Sequence, residues 1–243
     1  MSKKSLIIIT GCSSGIGLAL SQKLIEKESN CVLGIARNWP LEAENFIFQS
    51  LDLSKIDRVK EIHFPDLDEE YGAIHLINNA GMLGEINTLD KIDLESIEDV
   101  ITVNYTAAML LSTKFIQKYQ NSPVVKSIIN ISSGAATGAY ASWANYCASK
   151  AALEMLSKCI ELEQKHMEFP IRCFSIAPGV VDTKMQEHIR NSSLGNFAMK
   201  PKFEELYEKN ELYSPVKVAE KLIQVLENSS QYSESIFRIQ IEG

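Results

Sequence analysis

The sequence predicts a single-domain α/β protein with a Rossmann-type, doubly wound parallel sheet of about seven strands and helices on both faces. Three observations predict this fold. Short apolar segments alternate with helix-length amphipathic segments along the 243 residues, which is the pattern of repeated βαβ units. The apolar segments show little polar–apolar alternation, as expected for strands buried on both faces. No repeat or Pro/Gly linker divides the chain, and α/β folds of this length are commonly one domain.

The apolar segments are predicted to be strands, and the amphipathic segments between them are predicted to be helices. The strand segments are rich in isoleucine and almost continuously apolar. The predicted strands are, in order, Leu6–Thr10, Cys31–Ala36, Phe46–Phe48, Ala73–Asn78, Val124–Ile131, Ile171–Ile176 and the weaker Ile236–Ile241. The predicted helices are Ile16–Glu28, Lys55–Glu70, Ser96–Gln120, Tyr146–Lys165 and Val216–Leu226.

One long segment, Thr183–Ser214, breaks this alternation because it is polar and irregular. An irregular stretch of this length inside a compact domain is usually functional or carries short helices of its own. We therefore predict one domain over residues 1–243, in which residues 183–214 form a substrate lid or contain short helices.

Composition and charge exclude several functional classes. With 24 Lys and Arg against 31 Asp and Glu, the net charge is −7, and no basic cluster is long enough for a nucleic-acid surface. No stretch approaches the roughly 20 apolar residues of a membrane span, and the apolar run Leu6–Ile9 is too short for a signal peptide. The cysteines are scattered without a CxxC pair, and no histidine pair has zinc spacing. We predict a cytoplasmic protein with reduced thiols and no metal, nucleic-acid or membrane partner.

A glycine-rich turn joins the first predicted strand to the first predicted helix. Thr10–Gly17 reads TGCSSGIG, a GxxxGxG spacing that differs from the GxGxxG fingerprint. Glycines let backbone N–H groups approach a pyrophosphate, and the helix behind adds its positive N-terminus. A phosphate loop of the GKS/T type is excluded because Leu18 follows Gly17, while a glycine turn without a ligand stays open as an alternative. The predicted cofactor contacts here are Gly11, Ser13, Ser14, Gly15, Ile16 and Gly17.

The end of the second predicted strand indicates which dinucleotide binds. A fold that chooses NAD usually places an acid there for the ribose 2′-hydroxyl. This position holds Ala36, and the next holds Arg37, whose guanidinium suits a 2′-phosphate. NADP(H) is therefore predicted over NAD(H), with a solvated loop residue as the alternative role of Arg37. Asn38 is a further predicted cofactor contact, and Asp52 and Leu53 are predicted at the adenine.

A tyrosine and a lysine are spaced for proton transfer. Tyr146 and Lys150 lie at positions i and i+4 of a predicted helix and so share one face. A phenol ionises near pH 10, but an ammonium about 4 Å away favours the phenolate by about 4 kcal/mol at an effective dielectric near 20. This predicts a pKa of roughly 7, suitable for general acid–base catalysis. A second such pair, Tyr213 and Lys217, is predicted to be idle because Pro215 interrupts it.

Other polar and small residues are predicted to lie around Tyr146. Ser133 follows a predicted strand and could hold the substrate carbonyl. Asn104 lies within a long predicted helix, where its side chain could interrupt the backbone hydrogen bonds and hold a proton-relay water. Asn78–Gly81 ends the fourth strand with small residues beside which a cofactor could lie. These features are expected at the carboxyl edge of the sheet, where open α/β sheets bind ligands.

Together these motifs resemble the short-chain dehydrogenase/reductase family. The resemblance covers the chain from Ser5 to Thr183 and includes the segment Pro178–Thr183. It implies that Tyr146 is the acid–base group and that Ser133 orients the carbonyl while its carbon receives hydride from the nicotinamide. It also implies that Lys150 binds the nicotinamide ribose and lowers the pKa of the tyrosine, and that Asn104 supports the proton relay. Further cofactor contacts implied by the resemblance are Asn79, Ala80, Gly81, Tyr146, Lys150, Pro178, Gly179, Val181 and Thr183.

Two segments are similar to a narrower branch of that family, the sepiapterin reductases and bacterial benzil reductases. They are residues 142–150 (SWANYCASK) and 177–186 (APGVVDTKMQ). The chain departs from the animal pterin enzymes at Ser14, where they carry arginine, and in its tail, where Ile239 or Gln240 stands near the position of their aspartate. An NADPH-dependent reductase of ketones or vicinal dicarbonyl compounds is therefore predicted over a pterin reductase. Its apolar substrate pocket is predicted to contain Ala135, Tyr140, Trp143, Val180 and Met185.

Two alternative functions share these motifs. A 3-oxoacyl carrier-protein reductase would use the same site, but an acidic carrier would dock poorly on a chain of net charge −7. A non-catalytic NADP(H)-binding regulator would have no use for a tyrosine beside a lysine. Family resemblance also implies a homodimer or homotetramer, formed through the apolar stripes of Ser96–Gln120 and Tyr146–Lys165, that acts on a small-molecule carbonyl substrate.

Overall fold

The computed structural model describes residues 3–38, 41–68 and 70–241 of the chain. Within these ranges, seven parallel strands form one sheet in the order β3-β2-β1-β4-β5-β6-β7. The predicted doubly wound α/β fold is confirmed, because the strand order reverses between β1 and β4 and leaves a crevice there. The strands are β1 Lys4–Thr10, β2 Asn30–Ala36, β3 Phe46–Ser50, β4 Tyr71–Asn78, β5 Val125–Ile131, β6 Arg172–Ala177 and β7 Ile236–Arg238.

Helices cover both faces of the sheet. They are α1 Gly15–Ile25, α2 Ile56–Glu61, α3 Leu94–Ile101, α4 Ala107–Tyr119, α5 Ala144–Gln164, α6 Lys184–Arg190, α7 Lys200–Glu208 and α8 Pro215–Glu227. Leu6 and Ile8 of β1 pack in a core with residues of α2, α4 and α5, whereas Ile7 and Ile9 pack in a core with residues of α1 and α8. Within the ranges described, none of the helices combines the length and the apolar character that a bilayer crossing requires.

The helices α3 and α4 join into one long helical segment. A π-helical stretch, Thr102–Thr106, connects them. The segment begins at Leu94, where the Asp93 side chain accepts a hydrogen bond from the backbone N–H of Glu95, two residues before the predicted start. Asn104 lies in the middle of the π-helical stretch. Regular helical hydrogen bonding is therefore interrupted at the residue where we predicted an interruption.

The prediction for the helix Lys55–Glu70 is wrong in length. Helix α2 spans only Ile56–Glu61, and Ile62 already has an extended ψ of 139°. Pro65 explains the difference, because the residue before a proline avoids the helical region and proline has no N–H to donate. The Pro65 carbonyl instead accepts a hydrogen bond from the Tyr119 hydroxyl (2.6 Å). This bond fastens the segment after α2 to the end of α4.

The irregular segment 183–214 contains the two short helices α6 and α7. Phe197 and Phe203 from this segment are buried in one apolar cluster with Trp143 and Tyr146. At the C-terminal end, β7 is three residues long and ends at Arg238, short of the predicted Ile241. The remaining predicted elements begin and end within three residues of the observed ones.

Candidate active site

A cavity of about 1260 Å³ opens at the carboxyl edge of the sheet. The residues that line it include ones at or beyond the carboxyl end of every strand from β1 to β7. Three predicted site residues, Gly17, Asn38 and Asn104, lie outside this wall. The predicted residues within it are Gly11, Ser13, Ser14, Gly15, Ile16, Arg37, Asp52, Leu53, Asn79, Ala80, Gly81, Ser133, Ala135, Tyr140, Trp143, Tyr146, Lys150, Pro178, Gly179, Val180, Val181, Thr183 and Met185.

The glycine-rich turn brings the N-terminus of α1 to the cavity. Ser14 is the N-cap residue, and its side chain makes no capping hydrogen bond. Ser14, Gly15 and Ile16 all line the cavity. The first N–H groups of a helix have no partner within the helix, and they favour an anion at this end. The turn can therefore hold a phosphate group.

Gly17 holds the turn against the end of β4. A β-carbon built on Gly17 would lie 2.3 Å from the Gly11 carbonyl oxygen and 2.5 Å from Asn79 Nδ2. The Asn79 amide donates hydrogen bonds to the carbonyl oxygens of Thr10 (3.0 Å) and Gly11 (3.2 Å). The Thr10 hydroxyl accepts from the backbone N–H groups of Asn79 and Ala80, both at 3.0 Å. Gly17 thus lies behind the wall and lets the two strand ends approach closely.

The end of β2 carries a cation where an NAD-binding fold usually carries an acid. Ala36 is buried at this position, and Arg37 is exposed and lines the cavity. Asp52, beyond β3, also lines it. A hydrogen bond from the Ser54 backbone N–H (3.0 Å) holds the pKa of Asp52 below its usual value, and the charge of Arg37 lowers it further. Positive charge is therefore available beside this part of the cavity.

Tyr146 and Ser133 meet in the cavity wall. Tyr146 lies in the first turn of α5, and Ser133 follows β5. The Ser133 side chain lies close enough to the Tyr146 hydroxyl to influence its ionisation. Burial raises the pKa of Tyr146, and the Ser133 side chain lowers it by less than burial raises it. The predicted pKa near 7 is therefore not found, because burial disfavours the phenolate more strongly than the neighbouring groups stabilise it.

Lys150 is buried beside the ring of Tyr146. Its Nζ atom lies 5.9 Å from the centroid of the Tyr146 ring, and it donates a hydrogen bond to the Ile131 carbonyl (2.8 Å). A cation in this position is attracted to the face of the aromatic ring. Lys150 is 3% exposed, and burial lowers its own pKa to about 8.

Asn104 is buried behind the wall, and both of its amide atoms are hydrogen-bonded. Its Oδ1 accepts from the Met82 N–H (2.8 Å), and its Nδ2 donates to the Met82 carbonyl (2.8 Å) and the Ser149 hydroxyl (3.0 Å). A β-carbon built on Gly81 would lie 3.4 Å from Asn104 Oδ1 and 3.3 Å from Lys150 Nζ. Asn104 therefore joins the loop after β4 to α5 close to Lys150.

Aromatic rings form one side of the cavity. Trp143 stacks on Tyr140 with centroids 5.0 Å apart, on Phe197 at 4.7 Å, and meets Tyr146 edge-on at 5.8 Å. Phe203 also packs against Trp143 at 5.4 Å. Phe203 lines the cavity, and Phe197 is fully buried against Trp143. Sequence reasoning missed both, because nothing in their irregular segment indicated which residues turn inward. Ala135, Val180 and Met185 belong to the same apolar cluster.

Several other residues of the wall were not predicted, among them Tyr213 and Arg238. Tyr213 packs on Gly179. Helix α8 begins at Pro215, after Tyr213, so Tyr213 and Lys217 do not share a helical face, as predicted. Arg238 was not predicted as a site residue, because the last strand was predicted to continue to Ile241. Since β7 ends at Arg238, the residue belongs to the ligand-binding edge of the sheet.

Comparisons with known proteins agree with this geometry. Residues 5–193 match the family model of the short chain dehydrogenases. Benzil reductase ((S)-benzoin forming) of Bacillus cereus is 35% identical over 96% of this chain and 98% of its own length, and sepiapterin reductase of Rattus norvegicus is 28% identical over 93% and 92%. The closed form of a serine dehydrogenase complexed with NADP+ has a TM-score of 0.80 at 20% identity, covering 96% of this chain and 94% of that one.

The chain belongs to the short-chain dehydrogenase/reductase family. Within the family it falls in the branch of the benzil and sepiapterin reductases. The prediction of an oxidoreductase of this branch, with a carbonyl-reductase type of reaction, is confirmed.

Proposed function

We propose that the protein is an NADPH-dependent carbonyl reductase that reduces ketones or vicinal dicarbonyl compounds, with aromatic diketones such as benzil as the leading substrates. One observation carries the proposal. Tyr146 and Ser133 lie close together in the wall of the same cavity that contains the glycine-rich turn. The similarity to benzil reductases supports the same type of substrate.

NADP(H) fits the part of the cavity lined by residues that follow β1, β2 and β3. Ser14, Gly15 and Ile16 present the N-terminus of α1, which suits the pyrophosphate. Arg37 would bind the 2′-phosphate, since the buried Ala36 offers no carboxylate to a ribose 2′-hydroxyl. Asp52 and Leu53 would contact the adenine. The match of this donor set to a phosphorylated dinucleotide supports NADP(H) over NAD(H).

Tyr146 and Ser133 would receive the substrate carbonyl oxygen. Ser133 donates a hydrogen bond that orients the carbonyl, and Tyr146 transfers its proton to the oxygen, which leaves an alcohol. The bound cofactor supplies the hydride that the carbonyl carbon accepts. Because burial raises the pKa of Tyr146, the phenol stays protonated at neutral pH and is ready to donate. Asn104 and Lys150 position this pair through Ser149 and the end of β5.

The aromatic side of the cavity would bind the rest of the substrate. Tyr140, Trp143 and Phe203 line this side of the cavity, and aromatic rings of a substrate pack favourably against such side chains. Phe197 and Phe203 bring the segment 183–214 onto Trp143. We assign this segment as a substrate lid of the single domain, because it completes the aromatic side.

Apolar side chains on α4 and α5 support a homodimer. Met109 of α4 is 42% exposed, and Met155 and Leu162 of α5 are 57% and 70% exposed. Exposed apolar residues on two neighbouring helices are typical of an interface between subunits. Sedimentation velocity at two protein concentrations distinguishes a monomer, a dimer and a tetramer. A monomer at both concentrations would contradict this proposal.

The cysteines support a reducing compartment such as the cytoplasm. All five are free, and Cys12 and Cys173 are buried in the core. Burial raises the pKa of Cys12 to about 11, so its thiol remains protonated and unreactive. Free thiols of this kind fit a protein that folds without disulfides.

One assay tests the proposed reaction and its alternatives. Oxidation of NADPH is measured with benzil, sepiapterin, a quinone and an acetoacetyl thioester, and again with NADH. We expect the highest kcat/KM with benzil and NADPH. Preference for the thioester would favour a 3-oxoacyl carrier-protein reductase, and binding of NADPH without turnover of any carbonyl would favour a regulator.

A further inference from the structure

Arg238 places a guanidinium group over Gly134, the residue that follows Ser133. It ends β7, where it pairs with Ala177 of β6 at the carboxyl edge of the sheet. Its side chain lies over Gly134, because a β-carbon built on Gly134 would come within 2.3 Å of Arg238 Nη2. Gly134 directly follows Ser133. Bond lengths and the spacing of consecutive Cα atoms therefore place Arg238 Nη2 within about 10 Å of the Ser133 hydroxyl.

Among the described residues, no carboxylate forms an ion pair with Arg238. Arg58, Arg172 and Arg190 each pair with an acidic side chain. Over residues 3–38, 41–68 and 70–241, no ion pair is formed by Arg37 or Arg238, the two arginines that line the cavity. The role proposed for Arg37 is to bind the cofactor phosphate. The cavity wall also contains Lys150, Lys184 and Lys202, but Arg238 is its arginine near the residues that would receive the substrate carbonyl.

We propose that Arg238 binds an anionic group of the substrate, so that the enzyme prefers an oxo acid, a ketone that carries a carboxylate, to the neutral ester of the same acid. The inference rests on the carbonyl-reductase function proposed above and names its substrate class. A guanidinium matches a carboxylate with two parallel hydrogen bonds. The ketone oxygen lies at Ser133 and Tyr146 while the carboxylate lies at Arg238, so the substrate is held at two points and its reacting carbonyl is fixed.

The negative net charge of the chain makes the positive charge of Arg238 important for binding a carboxylate. A net charge of −7 disfavours the approach of an anion in general, so an anionic substrate needs a local positive group. In the reaction, the carbonyl carbon gains a hydride from NADPH and the oxygen gains the proton of Tyr146. The carboxylate is unchanged, and the product is a hydroxy acid.

The test compares an oxo acid with its own neutral ester. Benzoylformate and methyl benzoylformate have the same ketone and the same ring and differ in the charge next to the carbonyl. We expect Arg238→Gln to lower the ratio of kcat/KM for the acid to that for the ester by roughly ten- to a hundredfold, because a hydrogen bond to a charged group is lost. Arg238→Lys, which keeps the charge without the planar fork, should restore part of the ratio.

Two more variants make the test specific. Gly134→Ala displaces the guanidinium without removing it and should lower the same ratio, whatever its effect on overall turnover. Lys165→Gln is the matched control, since it removes one positive charge at the exposed C-terminal end of α5, about 30 Å along the helix from Tyr146. Its ratio should equal that of the wild type.

The outcomes separate this inference from the proposed function. If the wild type reduces the ester and benzil but Arg238→Gln leaves the acid-to-ester ratio unchanged, the inference fails and the carbonyl-reductase function stands. If the wild type reduces none of the three compounds with NADPH, both are overturned. A selective loss of the acid in Arg238→Gln and Gly134→Ala, with no loss in Lys165→Gln, establishes the oxo-acid preference.

Discussion

The Nζ atom of Lys150 lies above the ring of Tyr146, 5.9 Å from its centroid, and is tied to the carbonyl of Ile131 at 2.8 Å. Ile131 ends β5, two residues before Ser133. The lysine therefore fastens the start of α5 to the end of β5. Because Tyr146 belongs to the first and Ser133 follows the second, this single bond helps to keep the two hydroxyls adjacent.

Lys150→Met should reveal the cost of burying this ammonium. Burial lowers the pKa of Lys150 to about 8, whereas in the unfolded chain it is about 10.4. Below pH 8 the folded protein carries a buried charge that opposes folding, and this cost disappears as the pH rises towards 10, since the folded state loses its proton first. The wild type should thus gain about 2 kcal/mol of unfolding free energy relative to Lys150→Met between pH 7 and pH 10.

Urea unfolding of both proteins at intervals across this range measures the difference. Lys165→Met serves as the control, because water hydrates this exposed ammonium in the folded and the unfolded chain alike. Its difference from the wild type should stay constant with pH. A constant difference for Lys150→Met as well would show that the lysine is not desolvated.

Tyr146→Phe tests the proton donor. Removing the hydroxyl should lower kcat by at least about a hundredfold, which is the usual contribution of a positioned acid–base group, and should change the affinity for NADPH little. Tyr213→Phe removes a hydroxyl from another tyrosine of the same cavity and should cost far less. Steady-state kinetics with benzil and fluorescence titration with NADPH supply both numbers, and a Tyr146→Phe enzyme that keeps most of its turnover would contradict the assignment.

Topology explains why the sequence located most of this site. Parallel strands end at one edge of the sheet, so residues that follow predicted strands, such as Arg37, Asn79 and Ser133, must lie near one another. The helix spacing of Tyr146 and Lys150 likewise followed from the local pattern. These are consequences of strand and helix periods, which a sequence displays directly.

Other features depend on tertiary contacts that no local pattern displays. The Lys150 side chain is directed by its hydrogen bond to the Ile131 carbonyl, and Phe197 is held inward by stacking on Trp143. Arg238 was missed because a strand of apolar pattern ended three residues early. Helix α2 was predicted too long because the apolar spacing continues past Glu61. Pro65 in the sequence already indicated an earlier end, since proline disrupts a helix interior.

Arg37→Ala tests the choice of dinucleotide. The guanidinium would bind a group present in NADPH and absent from NADH, so the KM for NADPH should rise roughly ten- to a hundredfold and that for NADH should hardly change. Initial rates with each cofactor at saturating benzil measure the two values. Arg58→Ala, in the exposed α2 helix, is the control and should behave as the wild type. An equal rise for both cofactors would refute the role of Arg37 at the 2′-phosphate.

Gly17→Ala tests the close approach behind the phosphate turn. The added methyl group would lie 2.3 Å from the Gly11 carbonyl oxygen and 2.5 Å from Asn79 Nδ2, and a backbone atom cannot move aside without shifting the turn. We expect a loss of about 1–3 kcal/mol in unfolding free energy, with weaker binding of NADPH. Gly195→Ala is the matched control, because a β-carbon there meets nothing within 4 Å, and it should be neutral. Urea unfolding and NADPH titration of the two variants decide the matter: if Gly17→Ala were as stable as Gly195→Ala, the turn would not be packed against β4 as described.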